Sequence, residues 1–148
     1  MAYLRTGYHS DSFVKELRKE SIRKACDLYW EHFPCSQSIS LAFTGISGMA
    51  IGFSVADILD IPFAVIRKPN DGSHSSRRVE GYMNSKYVIL DDFISSGDTI
   101  TTIQREYTNQ YMKDLMSKRG YPNPQCIGTI LYSQSCTPHF DFPFPIIY

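Results

Sequence analysis

The sequence has no surplus of either charge. Its 148 residues carry 15 Lys and Arg against 15 Asp and Glu, mixed along the chain, so a broad phosphate-tracking surface for nucleic acid has no support. Any anion must be held by local charge. The sequence also lacks a CxxC pair: Cys26, Cys35, Cys126 and Cys136 are scattered, whereas metal sites favour closer ligand spacing. They read as core or surface thiols of a reduced, cytoplasmic protein. No apolar run approaches the roughly 20 residues that cross a bilayer, and the opening MAYLRTGYHS has no apolar stretch of the signal-peptide kind. No internal repeat or low-complexity segment interrupts the chain, and no Gly-Lys-Ser/Thr follows its glycine-containing turns, which argues against a Walker-type loop.

What is present suits one domain with one site. From Ser10-Asp11-Ser12, good capping residues, the segment to Phe33 places Phe13, Leu17, Ile22, Cys26, Tyr29 and Phe33 at mostly helical intervals before Pro34. The apolar run Ile39 to Phe43 predicts a strand, Met49 to Leu59 a buried helix, and Phe63 to Ile66 another strand. Arg67 to Asn84, rich in Gly, Ser, Asn and charge, predicts a long mobile loop. Tyr87 to Leu90 then predicts a strand, Thr99 to Lys118 a helix ending before Gly120 and Pro122, and Cys126 to Tyr132 a further strand. This alternation argues for an α/β fold: a doubly wound, mainly parallel sheet with helices on both faces and ligands beyond the carboxyl ends of its strands. The tail from Ser133 to Tyr148, punctuated by Pro138, Pro143 and Pro145, fits neither a helix nor a regular strand. Its Phe140, Phe142, Phe144 and Tyr148 either plug into the core or form a hood in which a ring stacks on a planar ligand.

The densest chemistry is Asp91-Asp92-Phe93-Ile94-Ser95-Ser96-Gly97-Asp98-Thr99. Two carboxylates at the end of a buried strand are costly to keep dry without partners. They can accept hydrogen bonds from a vicinal diol, or bind a hard cation directly or through water. The small-residue turn that follows opens a helix, whose unpaired N–H groups and positive dipole end favour a phosphate. Ser95, Ser96 and Thr99 add hydroxyls, and Gly97 lets the backbone approach. Diol beside phosphate describes a ribose 5-phosphate. The plainer alternative is a pair of ordinary strand-end acids followed by a turn and cap. An Asp-Asp domain of the response-regulator type fits less well, because Asp57 falls inside a helix rather than at another strand end.

At these residues the sequence resembles the type I phosphoribosyltransferases, with "VILDDFISSGDT" matching the family signature of strand, acid pair, apolar pair and small hydroxyl turn. "FTGISG", Phe43 to Gly48, stands where the family has its pyrophosphate loop, and "RKPNDGSHSSRRVEG", Arg67 to Gly81, where it has its flexible catalytic loop. The resemblance covers roughly residues 38–132, leaving 1–37 and 133–148 as a small hood on a single domain spanning 1–148. It implies a magnesium-dependent transfer of ribose 5-phosphate from 5-phosphoribosyl 1-diphosphate (PRPP) to a nitrogenous base, by a homodimer with no nucleic-acid or membrane partner.

The resemblance also implies roles. Ser95, Ser96, Gly97, Asp98 and Thr99 hold the 5-phosphate, and Asp91 and Asp92 hold the ribose hydroxyls, with Mg2+ near them largely through water and PRPP. Thr44, Gly45, Ile46, Ser47, Gly48, Arg67, Lys68, Arg77 and Arg78 face the pyrophosphate. Asp91, Asp92, Lys68 and His74 form the catalytic set, and Tyr132 or Phe140 stacks on the base. The order Arg67, Lys68, His74, Glu80-Gly81 looks most like the orotate branch. Departures are a missing basic residue near Ser47, the absence of a second loop lysine between Lys68 and His74, Asp98 beside a phosphate, and Ser95 where hypoxanthine-guanine enzymes carry an Asp. These departures motivate the alternative of a catalytically idle protein that binds PRPP or a nucleotide on the same fold.

Overall fold

The computed structural model describes residues 10–33, 38–70, 75–115, 120–134 and 140–148. Pro34, Cys35, His74, Lys118, Cys136 and Pro138, which enter the sequence reading, lie outside the described residues. Helices α1 (Ser10–Phe13) and α2 (Lys15–His32) precede strand β1 (Ile39–Thr44), helix α3 (Gly45–Leu59) and strand β2 (Phe63–Ile66). Strands β3 (Val79–Gly81) and β4 (Lys86–Asp91), helix α4 (Asp98–Leu115), and strands β5 (Gln125–Leu131) and β6 (Ile146–Ile147) follow. The sheet runs β3-β2-β1-β4-β5-β6, and only the β2 to β3 pairing is antiparallel.

Alternation along the strands builds two cores. Leu41, Phe43, Val88, Leu90 and Ile130 join α2 and α3 on one face, while Ala42, Ala64, Ile66, Tyr87 and Ile89 join α4 on the other. Tyr87 to Asp91 is therefore buried without interruption, as a central parallel strand covered on both sides must be. The crossover through α3 leads from β1 out to β2, and the one through α4 leads from β4 out to β5. Right-handed connections running in opposite directions place their helices on opposite faces and open a crevice at the carboxyl ends of β1 and β4. The α/β, doubly wound, mainly parallel arrangement expected from the sequence is the one observed.

Four local expectations need correction. The first helix is broken at Val14, which is extended. Its buried stripe is Ser21, Ala25, Cys26 and Tyr29, and Phe13 faces solvent. Helix α3 starts at Gly45, four residues earlier than the apolar run suggested, because Gly45 takes φ +71 and lets the strand turn directly into the helix. The loop after β2 contains β3, whose Gly81 has φ +114 and leaves no room for a side chain: a Cβ there would meet Phe63 O at 2.3 Å. Finally, the tail ends in a strand, with Ile146 and Ile147 paired to Thr129 and Ile130. Pro145, just before that strand, contributes only its carbonyl, which accepts from Thr129 N at 3.0 Å, a role open to proline beside an edge strand. Among the described residues, no helix is long and apolar enough to cross a membrane.

Candidate active site

A cleft of about 230 Å³ opens where β1 and β4 end. Of the residues singled out by sequence, Thr44, Ser47, Lys68, Asp91, Asp92, Ser95, Ser96, Gly97 and Thr99 line it, joined by Phe93, Ile94 and Ile100. These last three belong to or adjoin the acidic motif, so its apolar pair was the signal that should have marked two of them.

Asp91 is the buried member of the acid pair, 7% exposed. Its Oδ1 accepts from Asp92 N at 3.0 Å, and Asp92 Oδ1 accepts from Phe93 N at 2.9 Å. Burial, then the Asp92 carboxylate, hold Asp91 well above the usual carboxylate range, while Lys68 pulls it back. A diol or a cation brought between the two acids relieves that cost. Among the described residues no three His, Cys, Asp or Glu side chains stand together as a ready metal cage. Two carboxylates completed by substrate oxygens and water do fit Mg2+, which dehydrates reluctantly.

The anion cup has two helix starts. In α4, Gly97 takes φ +83 and Thr101 N bonds back to Gly97 O at 3.0 Å, so the amides ahead of Thr101 have no partner within the helix. Asp98 is exposed and does not line the cleft: it accepts from Ser96 Oγ at 2.7 Å. The first turn of α3 supplies the second start, so the segment read as a pyrophosphate loop is a strand end plus a helical turn. Thr44 stands at its N-cap position without a side-chain capping bond, its hydroxyl donating instead to Ile66 O at 2.6 Å. Ile46 is 68% exposed and Gly48 packs on Phe43.

Lys68 alone among the described cationic side chains lines the cleft. It crosses the start of α3 so closely that a Cβ on Gly45 would meet Lys68 Cε at 3.2 Å. Arg67 lines an adjoining cavity of about 210 Å³ with Asp98 and Thr102, which shares Thr44, Lys68 and Thr99 with the cleft. Its guanidinium donates to Ser75 O at 3.0 Å and Arg77 O at 3.2 Å, and lies 3.6 Å from Glu80. Arg77 is bonded to Asp114 at 2.6 Å, and Arg78 Nε lies 3.9 Å from Glu106, both acids being on α4. The expected cationic cluster is therefore not assembled at the cleft: three arginines answer carboxylates and carbonyls elsewhere. His74 lies outside the described residues.

The two stacking candidates also sit away from the cleft lining. Tyr132 is 3% exposed in the α2/α3 core; its hydroxyl donates to Ser47 O at 3.4 Å, and Ser12 Oγ lies 3.2 Å from it. Burial, and then Asp92 and Asp91, push its phenol up. Phe140 lies with Phe142 against Gly97 and is not among the residues that line the cleft. Gln134 went unnoticed in the sequence, where no local pattern marks it. Its Oε1 accepts from Ile94 N at 3.0 Å, forty positions back along the chain.

No family model matches the chain. An orotate phosphoribosyltransferase of Streptococcus agalactiae serotype Ia is 36% identical over 72 residues, 47% of this chain and 34% of that protein. The matched segment thus spans about a third of the length of the curated relatives, 34% to 37%. The structure of orotate phosphoribosyltransferase from Francisella tularensis superposes with TM-score 0.52 at 14% identity, covering 81% of this chain and 53% of that one. Adenine phosphoribosyltransferase from Saccharomyces cerevisiae superposes with TM-score 0.53 at 15% identity, covering 79% and 68%. With this sheet order, this cleft and the "VILDDFISSGDT" strand and turn, the chain has the fold and the sequence signature of the type I phosphoribosyltransferases.

Proposed function

We propose that the protein is a magnesium-dependent phosphoribosyltransferase that moves ribose 5-phosphate from PRPP to a nitrogenous base, orotate-like or another nucleobase, with release of pyrophosphate. The observation that carries this reading is the convergence of Asp91, Asp92, the Ser95 to Thr99 turn and Lys68 on one cleft at the switch point of the sheet. The reading extends to a single domain over 1–148, with its core at about 38–132 and a hood from 1–37 and 133–148. It extends also to a cytoplasmic homodimer in nucleotide metabolism or salvage.

In this reading Asp91 and Asp92 accept hydrogen bonds from the ribose hydroxyls and fix the sugar. The amides opening α4, with Ser95, Ser96 and Thr99, take the 5-phosphate. Ser96 Oγ then exchanges its bond to Asp98 for one to phosphate. Lys68 and the first turn of α3 neutralise the leaving pyrophosphate as positive charge grows on the sugar, so their stabilisation is greatest in the transition state. Bound Mg2+ supplies further neutralisation of the diphosphate. Arg77 and Arg78 reach the diphosphate only after leaving Asp114 and Glu106.

The parked arginines favour a second reading, a catalytically idle protein that binds PRPP or a nucleotide. One assay separates the two. Isotope-labelled PRPP is incubated with Mg2+ and a panel of bases, and PRPP binding is measured in parallel by calorimetry. Base-dependent pyrophosphate release is expected. Binding without turnover across the panel favours the regulator, and a folded protein that does neither ends both readings.

A further inference from the structure

Beyond its own end, β5 keeps company with the acid pair. Tyr132 N donates to Asp91 O at 3.1 Å and Ser133 N to Asp92 O at 2.9 Å, two further backbone bonds past the end of the strand pairing. At that point the Gln134 side chain takes over, its Oε1 accepting from Ile94 N at 3.0 Å, while Lys24 Nζ from α2 anchors Gln134 O at 2.8 Å. Ile94 is nearly buried, lines the cleft and immediately precedes Ser95. A buried N–H needs a partner, and Gln134 supplies this one.

We infer that Gln134 is a positioning residue of the sugar-phosphate site: by holding the Ile94 amide it fixes the start of the Ser95 to Thr99 turn and aims the amides that follow at the ligand. This rests on the reading of the cleft as a phosphoribosyl site. Gln134 need not touch the substrate. It acts through the backbone of the turn, and Lys24 ties the Gln134 backbone in turn to α2, on the opposite face of the sheet from α4.

Gln134→Leu removes the acceptor, whereas Gln134→Glu keeps an oxygen in its place. Amide exchange at Ile94 is measured on both folded variants and the parent, together with thermal unfolding and calorimetric titration with PRPP and Mg2+. In Gln134→Leu, exchange at the Ile94 amide speeds up at least tenfold. The PRPP dissociation constant rises about tenfold, as expected when a buried N–H loses its partner. KM for PRPP rises in parallel while KM for the base is unmoved. Gln134→Glu retains the protection. Unchanged exchange and PRPP affinity in Gln134→Leu would overturn the inference, as would an equal loss of protection in Gln134→Glu. If the parent itself binds no PRPP, the reading of the cleft fails separately. Exchange at the Ile94 amide then still decides whether Gln134 holds the turn, and unchanged protection rejects it.

Discussion

Gly97→Ala tests the link between the aromatic tail and the phosphate turn. Gly97 sits at φ +83, where an L side chain costs roughly 1–2 kcal/mol. The new Cβ also meets Phe142 Cζ at 3.2 Å and Phe140 ring atoms at 3.6 and 3.7 Å. Those rings cannot all step aside, because Phe142 stacks on the buried Phe144 at 5.3 Å between centroids. The turn must therefore move away from those rings, relax its φ, or both. The expected loss of stability is about 1–2 kcal/mol, which lowers Tm by roughly 2–8 °C for a chain of this size. Affinity for PRPP falls by about tenfold or more, since the turn itself holds the ligand.

Gly52→Ala is the matched control. Its Cβ would lie 2.5 Å from the ring of Phe43, in the core on the α3 side, so overpacking costs about 1–3 kcal/mol, partly offset by roughly 1 kcal/mol of helix propensity. It leaves PRPP affinity of the folded protein intact. Differential scanning calorimetry and PRPP titration of both variants decide the matter. The reasoning fails if Gly97→Ala keeps its Tm and affinity, or if Gly52→Ala loses affinity to the same extent.

Asp91→Asn tests the buried acid. Burial and Asp92 raise the folded-state pKa of Asp91 above its unfolded value. The associated stability is thus fully present below about pH 3.9, the unfolded value, and is lost as pH rises through the raised one. In magnesium-free buffer the variant should lack this slope and unfold at higher temperature than the parent on the alkaline side. Parallel pH profiles would count against the argument. Lys68→Ala removes the cation over Gly45 and should lower turnover by about tenfold to a hundredfold, the loss of one charged contact of about 1.5–3 kcal/mol. Pyrophosphate product inhibition should weaken with it, and a variant with unaltered inhibition would show that Lys68 serves elsewhere. Asp114→Ala frees Arg77. The ion pair is well exposed and contributes less than about 1 kcal/mol, but the variant also takes the acceptor from the buried Gln110 Nε2, so stability should fall by about 1–3 kcal/mol, while turnover should rise, and a fall in turnover of the folded variant would mean that the contact supports catalysis rather than withholding a cation.

By itself the sequence determined the strands from Ile39, Phe63, Tyr87 and Cys126, the helices after β1 and β4, and the acid pair followed by a hydroxyl turn. These are local matters: period, turn chemistry and strand ends are written in neighbouring residues. Even there the start of α3 was misplaced, because a glycine at positive φ begins a helix without any apolar repeat to announce it. Tertiary structure decided which charges meet the ligand space. The resemblance sends Arg67, Lys68, Arg77 and Arg78 all to the pyrophosphate, yet among these four only Lys68 lines the cleft, since Glu80, Glu106, Asp114 and the carbonyls of Ser75 and Arg77 stand where the other three come to rest. The same holds for Phe140 against Gly97, Tyr132 inside the core and Gln134 on the Ile94 amide. Each partner is fixed by which elements the sheet order brings side by side, and contacts spanning 40 or 85 positions leave no trace in the spacing of adjacent residues.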